Sequence, residues 1–224
     1  MWLVITLFVF YTARWFSKKV PHPINNPILI SLLVLIPLLL TLDIPYQQYA
    51  EQNQWLSYLL EPAVVALAYP LYEQLPVIRA KWRIILLTCT VGSVMSMFTG
   101  SLIALMLGAD ASLIASLLPK SVTTPIAMAV SEQLGGEASI SAALVILAGL
   151  FGAIFAYPIY QCLGITSSLA KGLTMGTVSH ALGTAKSTET HYQDGAFSSL
   201  ALVVCGVITS LMAPLIFSVI MLFI

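Results

Sequence analysis

The sequence predicts an all-α integral membrane protein, a bundle of about six to eight membrane segments with two or three broken or re-entrant helices. Of its 224 residues, 59% are hydrophobic and only 8% are charged, with a mean hydropathy of +0.96. Soluble domains carry about a quarter charged residues, so these few charges could not cover the chain with a solvated surface. The second observation is that polar, proline- or glycine-rich interruptions divide several of the apolar segments.

The apolar segments define the elements in order. A helix needs roughly 20 apolar residues to cross the hydrocarbon core, and five stretches approach or reach that length: 1–16, 24–43, 84–108, 138–161 and 196–222. The stretch 55–76 is apolar but carries acidic residues and prolines, and 111–134 and 165–186 are apolar only in half-lengths around a polar centre. We therefore expect a single transmembrane domain over 1–224, with N-terminal helices in 1–54 and a broken-helix core in 55–224.

Charge asymmetry predicts the orientation. Lys and Arg cluster at 14–19 and 79–83, whereas the loop 43–54 has acidic residues and no basic one. By the positive-inside rule both basic clusters are cytoplasmic, which places the N- and C-termini on the outer side of the membrane. We expect the stretch 111–134 to enter the membrane from outside and return there, with Glu132 and Glu137 outside. The stretch 165–186 then re-enters from the cytoplasm, with Lys171 and Lys186 on the cytoplasmic side. Full crossing of both stretches stays an alternative.

A weak internal repeat relates the interruptions. The segments 59–94, 117–151 and 173–207 follow one another at intervals of about 57 residues. Each begins with a break, at Pro62, Pro119 or Gly176, and about 30 residues later has a glycine in a spanning helix, at Gly92, Gly149 or Gly206. Small residues in apolar helices also match by chance, so inverted repeats stay open. Repeats of broken helices are typical of secondary transporters.

The interruption between Pro119 and Pro125 has the most distinctive chemistry. Two prolines remove two backbone donors and disfavour helix at the preceding residues. Thr124 and Pro125 resemble a helix start, which would direct free N–H groups and a positive dipole end into the break. A carboxylate is the natural ligand of such a place. The candidate substrate-binding residues are the cation and hydroxyls beside it: Lys120, Ser121, Thr123 and Thr124. The alternative is a kinked helix whose lysine extends to the headgroups.

The interruption at 176–185 is rich in glycine and hydroxyl residues around one histidine. Gly176 and Gly183 are the predicted helix breaks, because glycine allows unusual dihedral angles. Ionisable groups inside membrane segments are costly and usually face a cavity, so His180 is a candidate for substrate contact or proton uptake, with Ser179 and Thr184 beside it. The alternative is a histidine that only packs between helices.

The sequence gives a weaker indication of a functional role for Glu61. Glu61, before Pro62, is a second candidate proton carrier, although a solvated helix end fits equally well.

There is no HExxH, GxSxG, phosphate-loop or GxGxxG motif, so no enzyme activity and no cofactor are expected. Cys89, Cys162 and Cys205 have no metal-ligand spacing, so no metal is expected, and zero net charge gives no basic face for nucleic acid.

Four segments resemble the LrgB/CidB family: EPAVVALAYPLYEQL at 61–75, KSVTTPIAMAVSEQLGG at 120–136, GTVSHALGTAKSTE at 176–189 and QDGAFSSLALVVCGVITSLMAPL at 193–215. The resemblance runs through nearly the whole chain. It implies an inner-membrane protein paired with a small LrgA/CidA-type partner of holin-like character, in a family discussed as modulating murein hydrolase export and lysis. It also implies carriers of small monocarboxylates such as pyruvate, glycolate, glycerate or 3-hydroxypropionate.

The sequence and the resemblance are therefore consistent with two functions. The first is a secondary transporter, or its core subunit, for a small hydroxy- or keto-monocarboxylate held between the two interruptions. The second is a regulatory or pore-modulating partner of a holin-like protein that affects murein hydrolase activity and lysis. The expected partners are the lipid bilayer, a small organic anion and the LrgA/CidA-type protein, with a homo-oligomer left open.

Overall fold

The computed structural model describes residues 2–20, 25–59, 62, 68–73 and 75–222. Every regular element in these ranges is an α-helix, which confirms the all-α class. The chain divides into two compact units, 1–68 and 69–224. The arrangement as one domain with parts 1–54 and 55–224 stays a prediction.

The first unit contains α1 (Trp2–Lys19), α2 (Pro27–Thr41), α3 (Tyr46–Gln52) and α4 (Gln54–Tyr58). The start of α2 is capped by the Asn26 side chain, which accepts from the amides of Ile28 at 2.9 Å and Leu29 at 3.4 Å, satisfying donors that have no partner within the helix. Thr6 Oγ1 and Tyr49 OH share a hydrogen bond of 2.9 Å that fastens α3 to α1.

The rest of the chain contains α5 (Ala68–Glu73), α6 (Leu75–Met106), α7 (Ala111–Leu117), α8 (Thr124–Gln133), α9 (Ala138–Cys162), α10 (Ser168–Thr190) and α11 (Tyr192–Met221). Among the described residues, three helices are long and apolar enough to cross a membrane: α6, α9 and α11. α2 is a shorter apolar helix. The total of about six to eight membrane segments stays a prediction.

Between the long helices lie two interrupted segments. α7 and α8 have 7 and 10 residues, so at about 1.5 Å per residue neither reaches more than about 15 Å. α10 is interrupted at His180, whose φ of 40° and ψ of −139° are not helical. We call residues 111–133 the first hairpin and residues 168–190 the second hairpin. They begin 57 residues apart (111 and 168) and end 57 residues apart (133 and 190), as the repeat predicts.

Candidate functional site

The first hairpin reverses direction at its break. The amide of Glu137, just after α8, donates to Ser116 Oγ in α7 at 2.8 Å. A Cβ on Gly136 would lie 2.7 Å from the Ser116 amide nitrogen. The chain leaving α8 thus returns to the side of α7, so that the two short helices form a re-entrant pair rather than one interrupted path.

The tip of the first hairpin lies against the middle of α6. Lys120 Nζ donates to the Ser96 carbonyl at 2.9 Å, and Ser121 Oγ shares a 2.8 Å hydrogen bond with Ser96 Oγ. Ser96 precedes the α6 end at Met106 by ten residues, or about 15 Å of helix. The end of the Lys120 side chain fits against α6 because residue 100 is glycine. A Cβ at that position would lie 2.3 Å from Lys120 Nζ.

The second hairpin also reverses, with His180 at its turn. A Cβ on Gly172, before the turn, would lie 2.5 Å from the Asp194 carbonyl oxygen in α11, and a Cβ on Gly195 would lie 2.3 Å from Thr188 Oγ1, after the turn. In a straight helix residues 172 and 188 would be about 24 Å apart. Here both contact the first turn of α11, so the two halves of α10 lie side by side.

The hairpins enter from opposite ends of the long helices. The first hairpin packs in one cluster with Ala213, Ile216 and Ile220 in the last part of α11, and Leu105 near the end of α6 packs against that cluster. The base of the second lies at the first turn of α11 and beside Tyr160 of α9, whose hydroxyl donates to the Lys171 carbonyl at 3.1 Å. α9 joins the two bases and has 25 residues, or about 37 Å of helix.

The two tips meet at Val145 of α9. His180 Nε2 donates to the Val145 carbonyl at 2.7 Å, because a carbonyl can only accept. The Val145 side chain belongs to one buried cluster with Val122, from the first break, and Ala127 of α8. His180 is only 4% exposed. A positive φ costs a non-glycine residue about 1–3 kcal/mol, and such strain is concentrated at functional sites.

The repeated glycines are the points where the spanning helices touch the hairpins. A Cβ on Gly92 of α6 would lie 2.8 Å from Thr177 Cγ2, and one on Gly149 of α9 would lie 2.4 Å from His180 Nε2. A Cβ on Gly206 of α11 would lie 3.1 Å from Ile126 Cδ1 of the first hairpin. The 57-residue spacing noted in the sequence thus corresponds to three contacts between a glycine of a spanning helix and a residue of a hairpin, two with the second hairpin and one with the first.

The structure brings the predicted site residues together only in part. Lys120 and Ser121 share Ser96, and Thr123 and Thr124 are half-buried at the start of α8. Ser179 is fully buried and fills the space over Gly152, where a Cβ would lie 1.5 Å from its hydroxyl oxygen. The Thr184 hydroxyl bonds to the His180 carbonyl and to Ser198 Oγ, both at 2.8 Å, which braces the turn.

Three predicted positions need correction. Gly176 and Gly183 are helical, and the backbone departs from the helix at His180 between them. The glycines instead allow close packing, since a Cβ on Gly176 would lie 2.2 Å from the Ser198 carbonyl oxygen. The cap of α8 is Thr123 rather than Thr124, with Pro125 still in the first turn.

Pro119 lies within the break between α7 and α8, as expected. Glu61 lies outside the described residues. Pro62 is described without its immediate neighbours and is exposed, so the first predicted break stays a prediction.

Two polar residues of the bundle, Ser96 and Asp194, were not predicted from the sequence. Ser96 bonds to both Lys120 and Ser121 of the first tip. In the sequence it cannot be told from the other small residues of a spanning helix. Asp194 is 1% exposed and accepts from Tyr157 OH at 2.9 Å. Its only sequence signal was an acidic residue at the start of the apolar segment 196–222. Within the described ranges, no group of His, Cys, Asp or Glu fits a metal.

An apolar groove runs beside the second hairpin, with a volume of about 380 Å³. It is lined by Phe151 and Phe155 of α9 and by Thr174 and Val178 of α10, among others. No cationic side chain lines the groove, and most of its lining is apolar, so it does not suit a small anion.

Comparison with known proteins identifies the chain's relatives. The LrgB-like family model matches residues 6–219. The chain belongs to the LrgB-like family. A Haemophilus influenzae protein is 42% identical over 224 residues, covering 100% of this chain and 97% of that protein. The holin-like protein CidB of Staphylococcus aureus is 35% identical over 212 residues, covering 95% of this chain and 93% of CidB. No solved structure matches the chain.

Family membership and helix composition agree on the general class. This LrgB-like chain is a multi-pass membrane protein of a family with holin-like members. Because the backbone groups of a break cannot face lipid unpaired, the interior meeting point of the two tips is the candidate functional site.

Proposed function

We propose that this LrgB-like protein is a secondary transporter, or its core subunit, for a small hydroxy- or keto-monocarboxylate such as pyruvate, glycolate, glycerate or 3-hydroxypropionate. The observation that carries the proposal is the meeting of two half-length hairpins, entering from opposite ends of α9, at Val145. Broken helices in inverted repeats, with a site at the membrane midplane, are the architecture of many secondary transporters. The function is transport, with no catalysed reaction.

The first tip supplies the anion-binding chemistry. Lys120 Nζ has three donors, and its one hydrogen bond among the described residues goes to the Ser96 carbonyl. The start of α8 adds amide donors and a positive dipole end, and the Thr123 side chain makes no capping hydrogen bond to them. A single carboxylate matches one cation and one helix start, which favours monocarboxylates over dicarboxylates.

The second tip supplies the contact to the rest of the substrate. His180 donates to the Val145 carbonyl in this conformation, and we propose that it exchanges this bond for the substrate's hydroxyl or keto oxygen. Ser179 and Thr184 hold the turn from either side. Movement of the hairpins against α6, α9 and α11 would then expose the site to each side in turn.

Reconstitution of the protein tests the site directly. Lys120→Ala should abolish saturable uptake of the monocarboxylate into proteoliposomes, whereas Lys120→Arg should retain part of it. Lys186→Ala is the matched control, since Lys186 is half-buried in the second hairpin and should leave uptake unchanged. Wild-type uptake by the Lys120→Ala protein would contradict the site.

The second candidate function is regulatory. The name of CidB, holin-like protein, favours a partner of a small LrgA/CidA-type membrane protein that modulates a pore and thereby murein hydrolase activity and lysis. The same proteoliposomes separate the two functions. Saturable, stereoselective flux supports a carrier, and unselective leakage of solutes supports the pore-modulating function.

Location and orientation complete the proposal. The positive-inside rule places α6 with its basic end, near 79–83, in the cytoplasm, so the first hairpin enters from the periplasm and the second from the cytoplasm. Both termini are then periplasmic, in the inner membrane of a bacterium.

A further inference from the structure

Asp194 is a buried carboxyl group outside the proposed substrate site. It belongs to the first turn of α11 and is 1% exposed. Tyr157 OH donates to Oδ2 at 2.9 Å. Within the described part of the chain, Oδ1 has no hydrogen-bond partner. Burying a carboxylate with so few donors costs several kcal/mol unless it is paired or protonated, so this group is suited to binding a proton.

Among the described residues, one ion-pair contact reaches the Asp194 carboxylate, and it comes from the imidazole of His191. From α9 the facing titratable groups are Tyr157 and Tyr160, whose rings pack edge to face at 5.6 Å. From the second hairpin, Ser187 is buried and its hydroxyl lacks a hydrogen-bond partner among the described residues. Charged side chains of that hairpin are the half-buried Lys171 and Lys186 and the exposed Glu189. α5 directs Glu73 to Tyr192 rather than to Asp194.

His191 connects this carboxyl group to water. Its Nδ1 lies 3.6 Å from Asp194 Oδ1, and its side chain is 57% exposed whereas that of Asp194 is 2% exposed. An exposed imidazole beside a buried carboxylate is positioned to carry a proton between water and that carboxylate. A proton taken from water by His191 would pass to Oδ1, converting the carboxylate to the neutral acid, and would leave by the reverse route.

We propose that Asp194 is the proton-binding site that couples transport to the proton gradient, loaded through His191 at the base of the second hairpin. The proposal rests on the transport function. Asp194 is held by Tyr157, which follows Val145 by twelve residues of α9, or about 18 Å. The proton and the substrate therefore bind at opposite ends of the same hairpin, and the hairpin connects them.

Asp194→Asn separates coupling from transport. In proteoliposomes with the interior more alkaline than the exterior, the wild-type protein should accumulate substrate up to about tenfold per pH unit for a one-proton step. Asp194→Asn should lose this accumulation while still exchanging labelled for unlabelled substrate. Glu189→Gln, which changes an exposed carboxyl group of the same hairpin, should keep both activities. Gradient-driven accumulation by Asp194→Asn, or loss of exchange in the folded variant, would overturn the proposal.

A second measurement reads proton binding without transport. The infrared difference spectrum of the purified full-length protein between neutral and acidic pH should contain a protonated-carboxyl band that is lost in Asp194→Asn and kept in Glu189→Gln. Tyr157→Phe should shift this band, even where Asp194→Asn does not fold, because it removes the hydrogen bond to Oδ2. An unchanged band in both Asp194→Asn and Tyr157→Phe would overturn the proposal. Absence of wild-type flux with the band present would refute only the transport function.

Discussion

At the scale of single residues, the contact between Gly149 and His180 shows how little space the bundle leaves at its middle. A methyl group at residue 149 would lie 2.4 Å from Nε2 and 2.8 Å from Cε1 of the imidazole. The ring cannot move freely, since its backbone holds an unusual dihedral angle and its Nε2 is bonded to Val145. This crowding makes the glycine a sensitive probe of the tip.

Gly149→Ala should lower the free energy of unfolding by about 1–3 kcal/mol, the usual cost of overpacking a close-packed site. Gly92→Ala should behave similarly, because Thr177 is β-branched and stiff. Gly206→Ala should cost less than about 1 kcal/mol, because its neighbour is the flexible end of Ile126. Thermal unfolding in detergent measures all three. Because alanine stabilises an uncrowded helix relative to glycine, unchanged or increased stability of Gly149→Ala and Gly92→Ala would show that the tip contacts are absent.

Residue-scale prediction from sequence succeeded where the chemistry was unusual for a membrane helix. Lys120 and His180 stood out as ionisable groups in apolar segments, and each is at a hairpin tip in the structure. Asp194 did not stand out, because an acidic residue near a segment end is ordinarily solvated. Its burial depends on Tyr157, which is 37 residues away in sequence, and nothing local indicates that contact.

At the scale of elements, the second hairpin depends on a turn at one non-glycine residue. The predicted turn positions, Gly176 and Gly183, followed the conformational freedom of glycine. The structure uses those glycines for contact with α11 and the adjoining turn of α10, and places the positive φ of 40° at His180. Propensity could not locate this turn, because the tertiary contacts of the histidine ring decide it.

A pair of substitutions at His180 tests the turn. In a continuous helix, glycine is less stable than alanine by about 1 kcal/mol. At the φ of 40° and ψ of −139° of residue 180 the order reverses, since this positive-φ region favours glycine and costs other residues about 1–3 kcal/mol. We therefore expect His180→Gly to be more stable to unfolding than His180→Ala, although both lack the ring. A more stable His180→Ala protein would indicate that residues 168–190 form one straight helix.

At the scale of the whole molecule, the order of long helices and hairpins follows from the hydropathy of the chain. The apolar stretches 84–108, 138–161 and 196–222 correspond to α6, α9 and α11, and the interrupted stretches between them correspond to the hairpins. The positive-inside rule with re-entry already predicted that the two hairpins enter from opposite sides. What could not be derived is that their tips meet at Val145. That arrangement depends on packing between segments far apart in sequence.

Thiol accessibility in intact membranes tests the central claim most directly. Single cysteines are placed at the hairpin bases, at 112 and 189, and through the tips, at 117–126 and 176–186, in a background without the native cysteines. The account predicts that membrane-impermeant reagents label the first base from the periplasm and the second only from the cytoplasm, and that substrate protects labelled tip positions. Labelling of both bases from one side, or tips inert from both sides, would contradict it.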